Sequence, residues 1–255
     1  MRGITGVKNL IRRLLLARRI EIRRVQSSGS VLRPIGRTLS ILEDIRARGF
    51  RPHLVFDLGA NDGGWTRAAM RIMPDSRFVL VEPLPRMQGT LAAIEQSDRS
   101  RCAVVAKAVS STPGEAVLTD WDTGSTILPV AAGDAPQSTV SVTTVNLLAQ
   151  QYGVPDFVKI DVEGSELDVL RAADAILGRT ELFVIEAAFF RFTGRAVAHE
   201  LIALMAEHGY WLYDIGDPIR RPFDGALGLV DLFFARVDGQ LRHADRAWYE
   251  VANAG

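Results

Sequence analysis

Val55-Phe56-Asp57-Leu58-Gly59-Ala60-Asn61-Asp62-Gly63-Gly64 runs from a short apolar segment into a glycine-rich turn. Helix-forming residues, Trp65 to Arg71, come directly after it. Strand, tight loop and helix in that order form the ligand-binding unit of open α/β sheets. Glycine at 59 and 63 lets backbone N–H groups come close to a ligand, because no Cβ intervenes. Asp57 falls at the carboxyl end of the strand, the edge where such sheets bind their ligands.

The loop spacing is Asp57-x-Gly59-x-x-x-Gly63. It is neither the G-x-G-x-x-G of a pyrophosphate loop nor the G-x-x-x-x-G-K-[ST] of a phosphate loop. Asp57 and Asp62 would repel a pyrophosphate and suit a ligand that carries positive charge and hydroxyls. S-adenosylmethionine, with an ammonium, a sulfonium and no phosphate, has that chemistry. Glu82 ends the next apolar run, Arg77 to Val81, just before Pro83. A carboxylate there is placed to accept hydrogen bonds from ribose hydroxyls.

Outward from this unit, apolar and polar segments alternate. Helices are predicted over Trp65–Met73 and about Met87–Gln96, and strands over Arg77–Glu82 and Ala103–Val109. This βαβαβ order predicts a parallel, doubly wound sheet with right-handed connections. Glu115–Thr119 and Thr139–Thr143 read as short strands flanking Gly124 to Pro136, a flap over the site or a plain surface loop. A second informative stretch is Pro155-Asp156-Phe157-Val158-Lys159-Ile160-Asp161-Val162-Glu163-Gly164-Ser165-Glu166, an apolar strand ending in acids and a glycine. After it come a helix over Leu167–Leu177, a strand over Leu182–Glu186 and a helix over about Val197–His208. Strands at Tyr210–Asp214 and Leu229–Arg236, joined through Gly216, Pro218 and Pro222, complete the pattern.

Asp161, Glu163 and Glu186 should therefore lie along the ligand edge. Carboxylates there serve as a general base, as holders of an ammonium, or as helix caps. Oxygen ligands of this kind would select Mg²⁺ if a metal bound, but no residue is assigned as a metal ligand. Lys159, inside an apolar strand, needs a carboxylate partner or an escape to water. The four histidines are scattered, without metal-ligand spacing.

The 30 basic and 30 acidic residues balance, but eight Lys/Arg and only Glu21 fall within residues 1–25. The remainder holds 22 basic and 29 acidic residues. Such a body does not address nucleic acid. Val7 to Val25 has helical periodicity with a basic face, which reads either as a helix on an anionic membrane surface or as one packed on protein. Gln26 to Ser30 reads as a linker, and Ile35 to Arg48 as a second helix ended by Gly49. Residues 1–50 are thus expected to form a basic helical extension and 51–255 the α/β domain. Cys102, the single cysteine, excludes a disulfide framework and reads as a core thiol. No apolar run reaches the ~20 residues of a membrane span, and no secretory signal stands out. A cytoplasmic setting is expected, with peripheral contact at the inner membrane surface on the first reading of residues 1–25.

The motifs Asp57-Leu-Gly59-Ala60-Asn61-Asp-Gly63, Val-Glu82-Pro83 and Val158-Lys159-Ile160-Asp161-Val162-Glu163-Gly164-Ser165-Glu166 resemble those of FkbM-family methyltransferases, which use S-adenosylmethionine. The resemblance spans about Leu54 to Arg236. It implies a Rossmann-like sheet of seven strands in the order 3-2-1-4-5-7-6, the last antiparallel, and methyl transfer to a hydroxyl oxygen of a sugar, glycan or secondary metabolite. It implies that Asp57, Gly59, Asn61 and Gly63 line the methionyl side of the cofactor and that Glu82 holds the ribose. Ala108 and Val109 would approach the adenine, while Asp161 and Glu163 would face the methyl. Asp161 is nominated first as proton acceptor and Glu186 second. Trp65 stands where the family often has an aromatic. Two other readings remain: a non-catalytic cofactor-binding scaffold at a membrane-associated glycan assembly pathway, and a nicotinamide-dependent oxidoreductase on the same topology.

Overall fold

The structure, a computed structural model, describes residues 36–191 and 195–242. The chain divides after Pro34, and the described residues all belong to the unit that begins at Ile35. The basic helix and linker expected within residues 1–35 lie outside the described residues.

Three strands set the architecture: β1 (Leu54–Leu58), β2 (Arg77–Val81) and β7 (Phe157–Ile160). Every residue of β1 and β7 is buried, as expected of strands covered on both faces. With β3 (Cys102–Val105), β8 (Leu182–Ala188), β9 (Tyr210–Arg220) and β10 (Leu227–Arg236) they form a seven-stranded sheet in the order β3-β2-β1-β7-β8-β10-β9. Counted among themselves, these seven strands read 3-2-1-4-5-7-6. Strands β3, β2, β1, β7 and β8 pair in parallel, whereas β10 is antiparallel to both neighbours. The expected Rossmann-like, doubly wound topology is the one present.

Period-two alternation divides the core between the two faces. Phe56, Leu58, Val158, Ile160 and Phe183 point to one face. There they meet helices α4 (Val145–Tyr152), α5 (Glu166–Arg171) and α6 (Ala198–Glu207). Val55, Phe78, Leu80, Phe157 and Val184 point to the other face. Helices α1 (Thr38–Ala47), α2 (Gly64–Ile72) and α3 (Gln88–Ser97) cover that side. Asp57 and Lys159 occupy the alternate positions beside Val55 and Phe157, so they face α1 and α2 as well.

Helix α1, assigned from sequence to the N-terminal extension, contributes Ile41, Leu42 and Ile45 to this second core. Its N-terminus is tied to the β9–β10 hairpin. The Thr38 N–H donates to Asp217 Oδ2 at 3.0 Å, and the Thr38 hydroxyl donates to Asp231.

Several element boundaries differ from the sequence expectation. The strand expected over Ala103–Val109 is two strands, because exposed Ala106 and Lys107 turn the chain between them. The second, β4 (Ala108–Val109), joins β5 (Gly114–Thr119) and β6 (Gln137–Thr143) in a separate sheet of order β4-β6-β5. The helix expected to reach Leu177 ends at Arg171. Beyond it the Ala175 N–H donates to the side chain of Asn146, outside the helical ladder, while Ala173 and Ile176 still fill the core. Gly216 and Pro218, expected in the connection, lie within β9, at the sheet edge where a residue without an N–H is tolerated. The register against β10 slips beside them.

Leu42 is fully buried, and truncating it leaves a cavity under the sheet. Leu42→Ala should lower unfolding stability by about 2–5 kcal/mol, as read from urea denaturation. A helix merely laid on the surface would lose far less.

Candidate active site

Two turns meet at the carboxyl edge of the sheet, one after β1 and one after β7. In the first, Gly59 (φ 83°) and Asn61 (φ 48°) adopt left-handed backbone conformations. The Gly59 and Ala60 N–H groups donate to the Val81 carbonyl at 2.9 and 3.1 Å. A Cβ on Gly59 would stand 1.8 Å from the Asp161 carbonyl oxygen, so the backbones of the two turns touch and only glycine fits. In the second turn Glu163 (φ 56°) and Gly164 (φ 113°) bend the chain. Buried Glu166 steadies it by accepting from the Val162 and Gly164 N–H groups at 3.2 and 2.9 Å.

Beneath the turns lies a buried charge cluster. Pairing in register sets Asp57 of β1 opposite Lys159 of β7. Lys159 Nζ is 3.0 Å from Asp161 Oδ2 and 3.6 Å from Asp57 Oδ1, and lies 5.7 Å from the centre of the Trp65 ring. Burial pulls the Lys159 pKa down, but Asp161 and Asp57 more than reverse it, so the amine holds its proton. Burial raises that of Asp57 against the pull of Lys159 and the hydrogen bond from Thr66 Oγ1, 2.5 Å from Asp57 Oδ2. Thr66 belongs to the first turn of α2, so Asp57 also fixes the helix that follows its loop.

Glu82, just past β2, is buried and accepts two backbone N–H groups: Asn61 on Oε2 at 2.8 Å and Leu84 on Oε1 at 2.9 Å. Burial raises its pKa, opposed by those two bonds. Gly59, Asn61, Glu82, Ala108, Val109, Asp161 and Glu163, all singled out from sequence, line one cleft. Its far wall comes from β5 and the loop after it, through Leu118, Asp122, Ser125 and Ile127. The start of the Gly124–Pro136 stretch is therefore part of the site. It is fastened from both sides: Arg86 donates to Asp120 through Nε (3.0 Å) and a terminal nitrogen (3.2 Å), and Thr126 Oγ1 donates to the Glu163 carbonyl at 2.8 Å. The bond from Arg86 holds the Asp120 carboxyl down at about 2.

Asp57 lies behind this cleft, holding its floor. Gly63, just before α2, has a φ of 72°, a conformation that favours glycine, and a Cβ there would stand 2.3 Å from Ile94 Cδ1 of α3. Glu186 lines a second cavity, which shares Gly59, Asn61 and Asp161 with the cleft. Trp65, Lys159, Asp217, Ile219, Leu229 and Asp231 complete much of its wall. Two of these, Lys159 and Asp231, are charged residues inside apolar strands, a signal the sequence carries for Lys159 and equally for Asp231.

Arg195 is the functional residue the sequence reading missed; it belongs to no motif. It pairs with Glu163 and lies 3.3 Å from Glu186 Oε2. The carboxylates of Asp161, Glu163 and Glu186 come within 4.8 Å of one another, the one grouping among the described residues with the spacing of a metal site. A guanidinium already supplies cationic charge to two of them, so the arrangement gives no support to Mg²⁺. Burial pushes Glu163 up to about 7 despite Arg195, and burial together with Asp161 and Glu163 pushes Glu186 up to about 9. Cys102, also buried, is pushed up to about 11 by burial, as an inert core thiol requires. None of the described histidines lines either cavity.

A mostly parallel sheet of this order with one antiparallel strand, and an acidic cleft over its first, second and fourth strands, defines a protein of the Rossmann-like methyltransferase class. The profile of the methyltransferase FkbM domain matches residues 57–212, and the chain belongs to that family. No curated protein sequence matches it. Among solved structures it is similar to methyltransferase FkbM from Methylobacillus flagellatus KT, with 19% identity and a TM-score of 0.48. That match covers 78% of this chain and 48% of the other, so the chain spans about half the length of that protein. It is also similar to precorrin-6y C5,15-methyltransferase from Geobacter metallireducens GS-15, with 12% identity, 77% and 86% of the two chains and a TM-score of 0.44. A third match is the Methanococcus jannaschii fibrillarin pre-rRNA processing protein, with 13% identity, 74% and 68% coverage and a TM-score of 0.46.

Glu186 offers a test of the electrostatics. Its pKa is raised on folding, so between the ordinary carboxylate range and about 9 the folded chain binds more protons than the unfolded one. Its contribution to stability is therefore intact at acid pH and falls as pH rises through that window. Glu186→Gln should flatten the decline of the thermal midpoint between pH 5 and 9. At the alkaline end it should exceed the parent by about 2–4 °C, roughly 1 kcal/mol for a domain of this size.

Proposed function

We propose that this chain transfers the methyl group of S-adenosylmethionine to a hydroxyl oxygen of a sugar, glycan or secondary metabolite. The family implies S-adenosylmethionine as cofactor. The observation that carries the reading is the position of Asp161 where the cleft and the second cavity join, with Glu82 inside the cleft. Cofactor and acceptor then approach one carboxylate from two sides.

The residues fit this cofactor. Each Glu82 oxygen already accepts one N–H and keeps lone-pair capacity for a ribose hydroxyl. Ala108, Val109, Leu118 and Ile127 form an apolar wall suited to a purine. Among the described residues no donor reaches Asn61 Oδ1, although the atom is buried, and Glu163 lines the same cleft. This surplus of acceptors suits an ammonium and a sulfonium. When bound, S-adenosylmethionine supplies an electrophilic methyl group.

The protein's main task is then to hold the acceptor oxygen in line with that methyl. Asp161 Oδ2 is fixed by Lys159 and is our choice for taking the hydroxyl proton as the oxygen–carbon bond forms and the sulfur–carbon bond breaks. Glu186, the second nominee, carries a proton at neutral pH in this setting and serves as a hydrogen-bond donor in the acceptor cavity. Among the described residues no helix is long and apolar enough to cross a membrane. We assign residues 1–25 to contact with an anionic membrane surface; if the full chain co-sediments with anionic vesicles no better than a chain lacking those residues, that assignment is wrong.

Calorimetry with the full chain should show S-adenosylmethionine binding, weakened roughly 10–100-fold in Glu82→Gln through loss of charge-assisted hydrogen bonds. Binding of NADH in its place would sink the proposal in favour of a redox enzyme. Once an acceptor is in hand, Asp161→Asn should lower kcat by roughly 10²–10⁴-fold and leave cofactor affinity nearly unchanged. Collapse of cofactor binding in that variant would make Asp161 a binder and not a base.

A further inference from the structure

The second cavity has a mouth unlike its interior. Asp161, Glu186 and Asp231 line the cavity, with exposed Asp217 at its edge. At the rim the wall turns apolar. Ile219 and Leu229, paired across β9 and β10, line the cavity, yet Ile219 is 54% exposed. Beyond them Gly228 lies against Arg221: a Cβ there would meet Arg221 Cγ at 3.1 Å. The Gly228 carbonyl accepts the Phe189 N–H at 2.9 Å, which brings the end of β8 to the same rim. The Arg221 guanidinium sits 4.1 Å from the centre of the Phe190 ring and 5.9 Å from that of Phe223. Phe189 and Phe190 are 43% and 38% exposed, and Phe223 is 88% exposed.

A lone exposed apolar residue is ordinary, whereas Ile219 on the cavity wall, with Phe190 and Phe223 gathered about Arg221 two positions further on, makes a clustered rim that calls for an occupant. Phe223 buries almost nothing in this fold, so its apolar ring does not serve folding. We infer that the acceptor is amphiphilic. Its hydroxylated head enters the acidic cavity beside Asp161, and a hydrocarbon chain attached to that head lies along Ile219, Phe190 and Phe223. Ile219 and Leu229 line the cavity, and the Arg221 stem beside Gly228 carries the same surface on to Phe190 and Phe223, so a chain attached to a head group in the cavity is the occupant this rim favours. The inference rests on the methyl-transfer reading for the role of the cavity and adds the acceptor's class to it.

The test uses the full chain saturated with S-adenosylhomocysteine and a series of methyl, hexyl, octyl and decyl glucosides, each below its micelle concentration. Calorimetry should show affinity rising about fourfold for each added pair of methylene groups, as expected for half-burying them. Phe223→Ser and Ile219→Ser, measured separately, should flatten that dependence and leave S-adenosylhomocysteine affinity unchanged. Trp211→Ser, at the other end of β9 and 57% exposed, should leave the dependence intact. No chain-length dependence, or one that survives both rim variants, overturns the inference. Phe223-dependent binding to phosphatidylcholine vesicles without glucoside would assign the strip to a bilayer. A Phe223-dependent dimer in light scattering would assign it to a second copy of the chain. Either outcome overturns the hydrocarbon-chain assignment. Failure of S-adenosylhomocysteine to bind in the first place would instead strike at the methyl-transfer reading, so the two failures are distinguishable.

Discussion

A lysine in the middle of a parallel sheet holds this site together. Lys159 is buried, with little of its side chain open to water. An unpaired charge there would be strongly destabilising, so the fold must bring carboxylates to it. It does so through strand register, which sets Asp57 directly across from Lys159, and through chain continuation, which brings Asp161 back over it two residues later. Asp57 in turn fixes Thr66 in α2, and the close approach of Gly59 to the Asp161 carbonyl locks the two turns together. The positions of the cleft floor and of the helix beside it follow from one ion cluster.

Above that cluster the balance of charge tips the other way. Burial first, and then the crowding of Asp161, Glu163 and Glu186 that Arg195 only partly offsets, makes the two glutamates hold protons at pH values where exposed ones would not. A cationic ligand placed among them would relieve this crowding. The site is thus electrostatically incomplete by itself, in the direction that an ammonium or sulfonium would complete. The wall of the cleft opposite these acids is apolar, which divides the space between a charged end and a purine-sized end.

The central strands were legible because burial on both faces demands mainly apolar runs, and β1, β2, β7 and β8 have them apart from single charges such as Asp57, Lys159 and Glu186. Their ends were legible because acids and glycines interrupt those runs. Regions whose structure depends on distant partners were not. Nothing local marks Ala106 and Lys107 as the point where one strand leaves the main sheet for another, since the partner of β4 is β6, more than thirty residues on. Gly63 shows a different limit: a glycine for ligand approach, for helix packing or for a left-handed turn is the same letter, and its φ of 72° and the nearness of Ile94 appear only in three dimensions. Arg195 reaches its carboxylates from a loop with no periodicity, so its role appears only in three dimensions. Asp231 carries the same local signal as Lys159, a charge within an apolar strand, and that signal alone does not name the cavity it lines.

The hairpin that closes the sheet has a consequence for how the chain is made. Helix α1 leaves the ribosome long before its anchors: its N-terminal contacts with Asp217 and Asp231 span 179 and 193 positions. Strand β10, the last synthesised, must settle between β8 and β9, both completed earlier. Until it does, the exposed edge of β8 and the apolar side of α1 have no permanent cover. Contacts of such long separation form late and slowly. The turns after β1 and β7 are thus synthesised before the β9–β10 wall of the second cavity, so the two halves of the site depend on stretches made at different times.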